Sequence, residues 1–144
     1  MSEIQAAPEL ASKYCLNLKV AKTIAAAAEA EAVRNNWKVS IAIVDDGAHL
    51  LYLQRLDGAH LASAEISQGK ARTTMRYRRP SRAMEEAING GRIALAAVDN
   101  NTPLQGAVPI LYRGEIVGAI GVSGVLPAQD EQIASAGASV LASL

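Results

Sequence analysis

Two apolar segments joined by a tight turn occur twice in the chain, and this arrangement limits the fold more than any other feature. The four segments cover residues 38–45, 48–54, 107–112 and 115–122. Asp46-Gly47 lies at the first join and Arg113-Gly114 at the second. A polar residue followed by glycine suits a short turn, so each pair of segments predicts a β-hairpin. Hairpin strands pair antiparallel, which favours an antiparallel sheet over a doubly wound parallel one.

Segments with helical spacing surround both hairpins. Asn17 is a good N-cap for a helix that ends near residue 35. Further helices are predicted over about 61–77, 81–88 and 128–143, with Ser81 able to cap the second of these. Residues 92–106 are ambiguous, because they suit either a helical turn with a loop or a short additional strand near 92–98. The order helix, hairpin, helices, hairpin, helix predicts an α+β sandwich.

Length and composition indicate one globular domain. The chain has 144 residues, 50% of them apolar, with 14 basic and 14 acidic side chains. Zero formal charge argues against a nucleic-acid-binding domain, and a single cysteine excludes an internal disulfide. We expect an N-terminal arm over 1–16 and one domain over 17–144. Because no signal peptide or membrane span is visible, we expect a cytoplasmic protein that does not enter a membrane.

Two longer motifs resemble those of the GlcG/HbpS-like family. SIAIVDDGAHLLYLQRLDGAHLASAEISQGKA spans 40–71, and VPILYRGEIVGAIGVSG followed by QDE lies within 108–131. The resemblance covers the chain from about residue 17 onwards. It implies a profilin-like or PAS-like fold, with a central, mostly antiparallel five-stranded sheet flanked by helices. It also implies a homo-oligomer, based on dimers and commonly an octamer, with haem as a ligand in some members.

Two departures from the family pattern concern glycine. Ala107 and Val125 stand where the family commonly has glycine. Because glycine lets a ligand approach the backbone closely, the change at residue 107 bears on ligand binding.

The loop after the first hairpin carries Arg55, Asp57 and His60. Asp57 is placed to cap the following helix by accepting backbone N–H bonds. In the alternative interpretation, Arg55 and Asp57 line a cleft and His60 acts as a general base or a ligand. No second histidine or carboxylate is spaced to complete a metal site, so no metal site is predicted. For haem iron, the candidate ligands are His49, His60, Met75, Tyr77 and Met84.

A basic segment, KARTTMRYRRPSR, follows the predicted start of the second helix. Arg72, Arg76 and Arg79 fall at helical spacing and predict a cationic face. That face is either solvated or salt-bridged between subunits, or it clamps carboxylates such as haem propionates. Lys70 could hold a substrate carboxylate, or form a Schiff base if it is desolvated.

The segment GAIGVSG, residues 118–124, ends the second hairpin. Its glycines suit close packing of a helix on a strand, with a positive φ at Gly124. They equally suit an anion cradle of backbone N–H groups that includes Ser123. We expect this segment and the Arg55–His60 loop to meet around a pocket.

Three hypotheses follow for function. The first is an oligomeric small-molecule-binding protein that takes haem or a small carboxylated metabolite. Its ligand-binding residues would be Arg55, Asp57, His60, Lys70, Arg72, Ser123 and Gly124. The second is a metal-independent enzyme of small-molecule catabolism, with His60 as acid and base and Arg55 or Lys70 holding a carboxylate. The third is a non-catalytic assembly subunit.

Overall fold

A computed structural model describes residues 5–144 and confirms the α+β class and the predicted order of elements. The elements are α1 (Leu18–Arg34), β1 (Ser40–Asp45), β2 (Leu50–Arg55), α2 (Ser63–Tyr77), α3 (Ser81–Asn89), a 3-10 helix (Ile93–Ala97), β3 (Ala107–Tyr112), β4 (Glu115–Ser123) and α4 (Pro127–Ala142). None of the helices in these residues combines the length and the apolar character needed to cross a membrane.

The sheet holds four antiparallel strands in the described residues, in the order β2-β1-β4-β3, rather than five. The segment near 92–98 forms the 3-10 helix Ile93–Ala97 and not a strand. Its backbone bonds are local, such as Leu95 N–H to the carbonyl of Arg92. Leucine and alanine favour helical turns over extended structure, and no residue of this helix is buried.

The two faces of the sheet differ in the size of their side chains. Ile41 and Ile43 of β1 face the main core, where α1 and α4 pack. Ala42 and Val44 face α2, which contributes Ala71 and Met75 to a smaller core. Small residues let α2 lie close to the sheet, so close that a Cβ at Gly121 would collide with the α2 backbone.

Of the three N-caps predicted from the sequence, the structure confirms one. Asn17 caps α1, accepting the N–H of Val20 at 2.9 Å. Asp57 does not cap α2, because the chain turns for several more residues before Ser63 and the N-cap is Ala62. Ser81 does not cap α3 either, since Pro80 is the N-cap. The Ser81 hydroxyl instead accepts the backbone N–H of Ala107 at 3.0 Å, which ties α3 to β3.

Residues 5–17 form no regular secondary structure and are exposed except for Leu16, and the arm contacts the domain through residues 13–16. Leu16 is 7% exposed and belongs to the main core. Lys13 pairs with Asp46 in the β1–β2 turn, and the Tyr14 ring meets the Tyr112 ring edge-on. The arm therefore contributes one side chain to the core.

Candidate functional site

The sheet register brings the Arg55–His60 loop and the end of the GAIGVSG segment to one end of the sheet. Ser40 in β1 pairs with Arg55 in β2 and with Ser123 in β4. Arg55 and Ser123 thus lie in one row with a single strand between them, about 10 Å apart along the hydrogen-bonding direction. We call this end, with Arg55, Asp57, His60, Ser123 and Gly124, the sheet-end cluster.

Members of the sheet-end cluster differ in burial. Arg55, Asp57 and His60 are exposed, and none of their side chains makes a hydrogen bond within residues 5–144. Ser123 is buried, and Gly124 is half-buried with φ +148. A Cβ at Gly124 would collide with the carbonyl of Lys38. Close packing against the start of β1 therefore accounts for this glycine.

Lys70 lies inside the protein beside Asp130, and not on the surface. The two residues are 3% and 2% exposed. The Lys70 ammonium donates to Asp130 Oδ2 at 3.1 Å and to the carbonyl of Val122 at 2.9 Å. This ion pair joins α2 on one face of the sheet to α4 on the other. Its Nζ is enclosed, so the geometry gives Lys70 a structural role in place of a Schiff base or a substrate contact.

The predicted anion cradle holds a carboxylate that belongs to the chain itself. The backbone N–H of Val125 donates to Asp130 Oδ1 at 3.1 Å, and the N–H of Gly124 also bonds this carboxyl. Burial raises the pKa of Asp130 above its ordinary value, while Lys70 and these N–H groups oppose that rise. Lys70 and the turn after β4 therefore meet around one internal anion.

Sequence reasoning missed the role of Asp130, which lies within the QDE segment but is not among the predicted site residues. A signal was available, because Ser67, Lys70 and Thr74 lie at helical spacing on the face that α2 buries. A lysine on a buried face needs a charge partner. Asp130 is one carboxylate that the sequence offered for this purpose.

The basic segment does not form one cationic helical face. Helix α2 ends at Tyr77, and Arg78 is left-handed with φ +56, so Arg79 leaves the helical path. Arg76 donates to the carbonyl of Asn100 at 2.8 Å. Arg72 is half-buried and has no carboxylate within 4.0 Å in residues 5–144.

Arg79 instead reaches a cavity of about 200 Å³ between the end of α2, α3 and the 3-10 helix. We call it the arginine cavity. It is lined by Tyr77, Arg79, Ala83, Met84, Ala87, Arg92 and Leu95. Five of its seven lining residues are apolar or aromatic, and its two arginines, both exposed, lie thirteen residues apart in the sequence.

The polar side chains that line the arginine cavity can each donate a hydrogen bond to a ligand. Neither Arg79 nor Arg92 has a carboxylate within 4.0 Å among residues 5–144. The side-chain amide of Asn101 donates to the Tyr77 hydroxyl at 2.9 Å, which leaves the phenol proton free to bond a ligand. Arg79 Nε donates to the carbonyl of Tyr77 at 3.3 Å, which fixes the start of its side chain. The cavity suits a ligand with an anionic end and an apolar body.

Comparison with known proteins extends these observations. Residues 16–139 match the family described as haem degrading protein HbpS-like. Protein GlcG of Escherichia coli K12 is 47% identical over 112 residues, covering 78% of this chain and 84% of GlcG.

Two solved structures show the same fold. A double mutant of Streptomyces reticuli HbpS superposes with a TM-score of 0.84 and 30% identity, covering 98% of each chain. A PduOC:heme complex has a TM-score of 0.79 and 21% identity, covering 88% of this chain and 94% of that one. The family match over 16–139 and the 47% identity to GlcG show that the chain belongs to the GlcG/HbpS-like family.

Proposed function

We propose that this chain is a small-molecule-binding protein that takes a carboxylated ligand in the arginine cavity. The observation that carries the proposal is the pair Arg79 and Arg92 in a lining that is otherwise apolar or aromatic, with no carboxylate partner in the described chain. Guanidinium groups bind carboxylates through two parallel hydrogen bonds. Tyr77 would add a third donor, and Met84 and Leu95 would contact the apolar body.

Haem is the alternative ligand, because the family description names haem and a structural neighbour was solved with haem bound. Tyr77 and Met84 are residue types that ligate haem iron, and both line the arginine cavity. Its volume of about 200 Å³ lies below the roughly 300–1,000 Å³ of pockets for drug-sized ligands. A single chain does not enclose a porphyrin there. Haem would need a second copy of the chain to complete the wall, as in the dimer-based assembly that the family resemblance implies.

Calorimetric titration with a panel of small carboxylic acids, and spectroscopic titration with haem, would test the site. Arg79→Gln and Arg92→Gln should each weaken carboxylate binding about tenfold or more, since a hydrogen bond to a charged group contributes about 1.5–3 kcal/mol. Arg72→Gln is the matched control, because it removes an arginine of the same basic segment outside the cavity. It should leave the affinity unchanged.

The same titrations distinguish the competing hypotheses. If Arg55→Gln weakens binding and the cavity variants do not, the ligand lies at the sheet-end cluster and the proposed location is wrong. If no acid binds and haem gives no Soret shift, the assembly-subunit hypothesis replaces a binding function. The enzyme hypothesis depends on His60, whose side chain is exposed and makes no hydrogen bond in residues 5–144. Turnover that is lost in His60→Ala would favour it over binding alone.

A further inference from the structure

A second cavity, of about 270 Å³, lies at the opposite end of the sheet from the sheet-end cluster. The N-terminal arm, α1, the β3–β4 hairpin and the end of α4 surround it, and we call it the arm cavity. Its walls include Tyr14, Leu16, Val20, Tyr112, Val117 and Leu141. It shares no lining residue with the arginine cavity, so the inference below does not depend on the proposed function.

Contacts on both sides of the arm cavity anchor the N-terminal arm to the domain. Leu16 is fixed in the main core, and Lys13 pairs with Asp46 on the neighbouring turn. The Tyr14 and Tyr112 rings meet edge-on with centroids 4.9 Å apart, and the Arg113 guanidinium lies 5.1 Å from the Tyr112 ring centroid. These contacts fix the position of the arm, and with the arm in this position the cavity is open without a ligand.

The chemistry of the lining differs from that of the arginine cavity. Every lining side chain is apolar, aromatic, amide or thiol, and none carries a formal charge at neutral pH. The Asn17 side-chain oxygen is already used to cap α1. The nearby Arg113 guanidinium lies against the Tyr112 ring and is not itself a lining residue. Because burying an ion among uncharged groups is unfavourable, the lining favours a neutral, largely apolar molecule.

We propose that the arm cavity is a binding site for a small neutral apolar molecule of about the size of a bicyclic aromatic ring. An apolar cavity of about 150 Å³ is large enough to hold benzene, and this one measures about 270 Å³. The two tyrosine rings offer edges and faces for aromatic contacts.

Cys15 provides a native reporter, because it lines the arm cavity, is exposed, and is the sole cysteine of the chain. The test is the rate at which an aromatic disulfide reagent labels this thiol in the full chain, with increasing indole as the neutral probe. Indole should slow labelling saturably, by about tenfold at saturation. Indole-3-carboxylate, of similar shape but charged, should protect less.

A pair of variants on one helix locates the binding. Val20→Phe fills the arm cavity and should abolish protection by indole, whereas Val33→Phe, at a position 64% exposed on the same helix, should retain it. If Val20→Phe does not fold, Val20→Leu fills less space and should give a partial loss. Labelling that is insensitive to indole would overturn the proposal. So would protection that survives both Val20 variants. Labelling that slows with protein concentration alone would show that a second copy covers the cavity, which also overturns it.

Discussion

At the scale of single residues, Gly106 determines whether Lys70 and Asp130 can meet. Gly106 has φ +141, and a Cβ there would lie 2.7 Å from Lys70 Nζ and 3.0 Å from Asp130 Cβ. The ion pair therefore occupies the space that a side chain at residue 106 would fill. The sequence marked Lys70 as chemically notable but could not identify its partner, which lies 60 positions away and depends on tertiary packing.

Replacing Gly106 with alanine should destabilise the protein by about 2 kcal/mol or more, since it combines a strained φ with overpacking. The control is Gly91→Ala, at φ +116, where an added Cβ meets nothing within 4 Å. It carries backbone strain without the collision and should cost less. Urea unfolding of both variants measures the difference. Equal losses would mean that the collision at residue 106 is relieved by movement of the ion pair.

Lys70→Met should destabilise the protein by about 3–5 kcal/mol near neutral pH, because it leaves the buried Asp130 carboxylate without its cation. Desolvation already raises the pKa of Asp130 above 3.8, and removing Lys70 removes the strongest opposing influence. A raised folded-state pKa means that ionisation opposes folding. The destabilisation caused by ionising Asp130 is therefore absent below the unfolded-state pKa of this residue. It grows as the pH rises through the folded-state pKa.

Unfolding measured as a function of pH checks this sign. The stability difference between wild type and Lys70→Met should shrink as the pH falls towards 4 and be largest near 7. Adding Asp130→Asn to Lys70→Met should recover much of the loss at pH 7, because the amide carries no charge. A deficit that does not change with pH would mean that lost packing, and not the unpaired carboxylate, causes the effect.

At the scale of elements, the sequence predicted the helices and hairpins well because their signals are local. Asn17 marks the start of α1, and the Asp46-Gly47 and Arg113-Gly114 pairs mark the turns. The failures lie where the outcome depends on distant contacts. Asp57 is a favourable capping residue, but the chain makes further turns before α2 begins at Ser63 with Ala62 as its N-cap.

A pair of capping variants tests this distinction. Asn17→Ala should cost about 1 kcal/mol, because it removes the acceptor for the Val20 N–H. Asp57→Ala should change stability by less than about 0.5 kcal/mol, since Asp57 is exposed and caps no helix. Thermal or urea unfolding resolves the two values. A loss at Asp57 as large as that at Asn17 would show that the loop holds an interaction with the start of α2.

At the scale of the whole molecule, the sequence predicts that the Arg55–His60 loop and the end of β4 meet around a pocket. The register places Arg55 and Ser123 at one end of the sheet with β1 between them, but neither residue lines the arginine cavity or the arm cavity, so the pocket between them stays a prediction. The arginine cavity could not be predicted in the same way. It depends on the left-handed conformation of Arg78, which directs Arg79 away from α2, and on the 3-10 helix that follows Arg92. Helical spacing had grouped Arg79 with Arg72, because periodicity assumes that the helix continues.

The N-terminal arm raises the question of where the folded domain begins, and two leucines in it give a matched test. Leu16 is 7% exposed and packs in the main core beside Gly118, whereas Leu10 is 92% exposed. Leu16→Ala should lower the free energy of unfolding by about 2–4 kcal/mol, the usual cost of a buried leucine truncation. Leu10→Ala should change it by less than about 0.5 kcal/mol. Urea unfolding of the two variants and of a chain beginning at residue 17 would measure this.

If Leu16→Ala were as stable as Leu10→Ala, the arm would be dispensable and the domain would begin at residue 17. If it were less stable, Leu16 would be part of the domain, because the side chain of this leucine closes the core at the end of the sheet away from the Lys70–Asp130 pair.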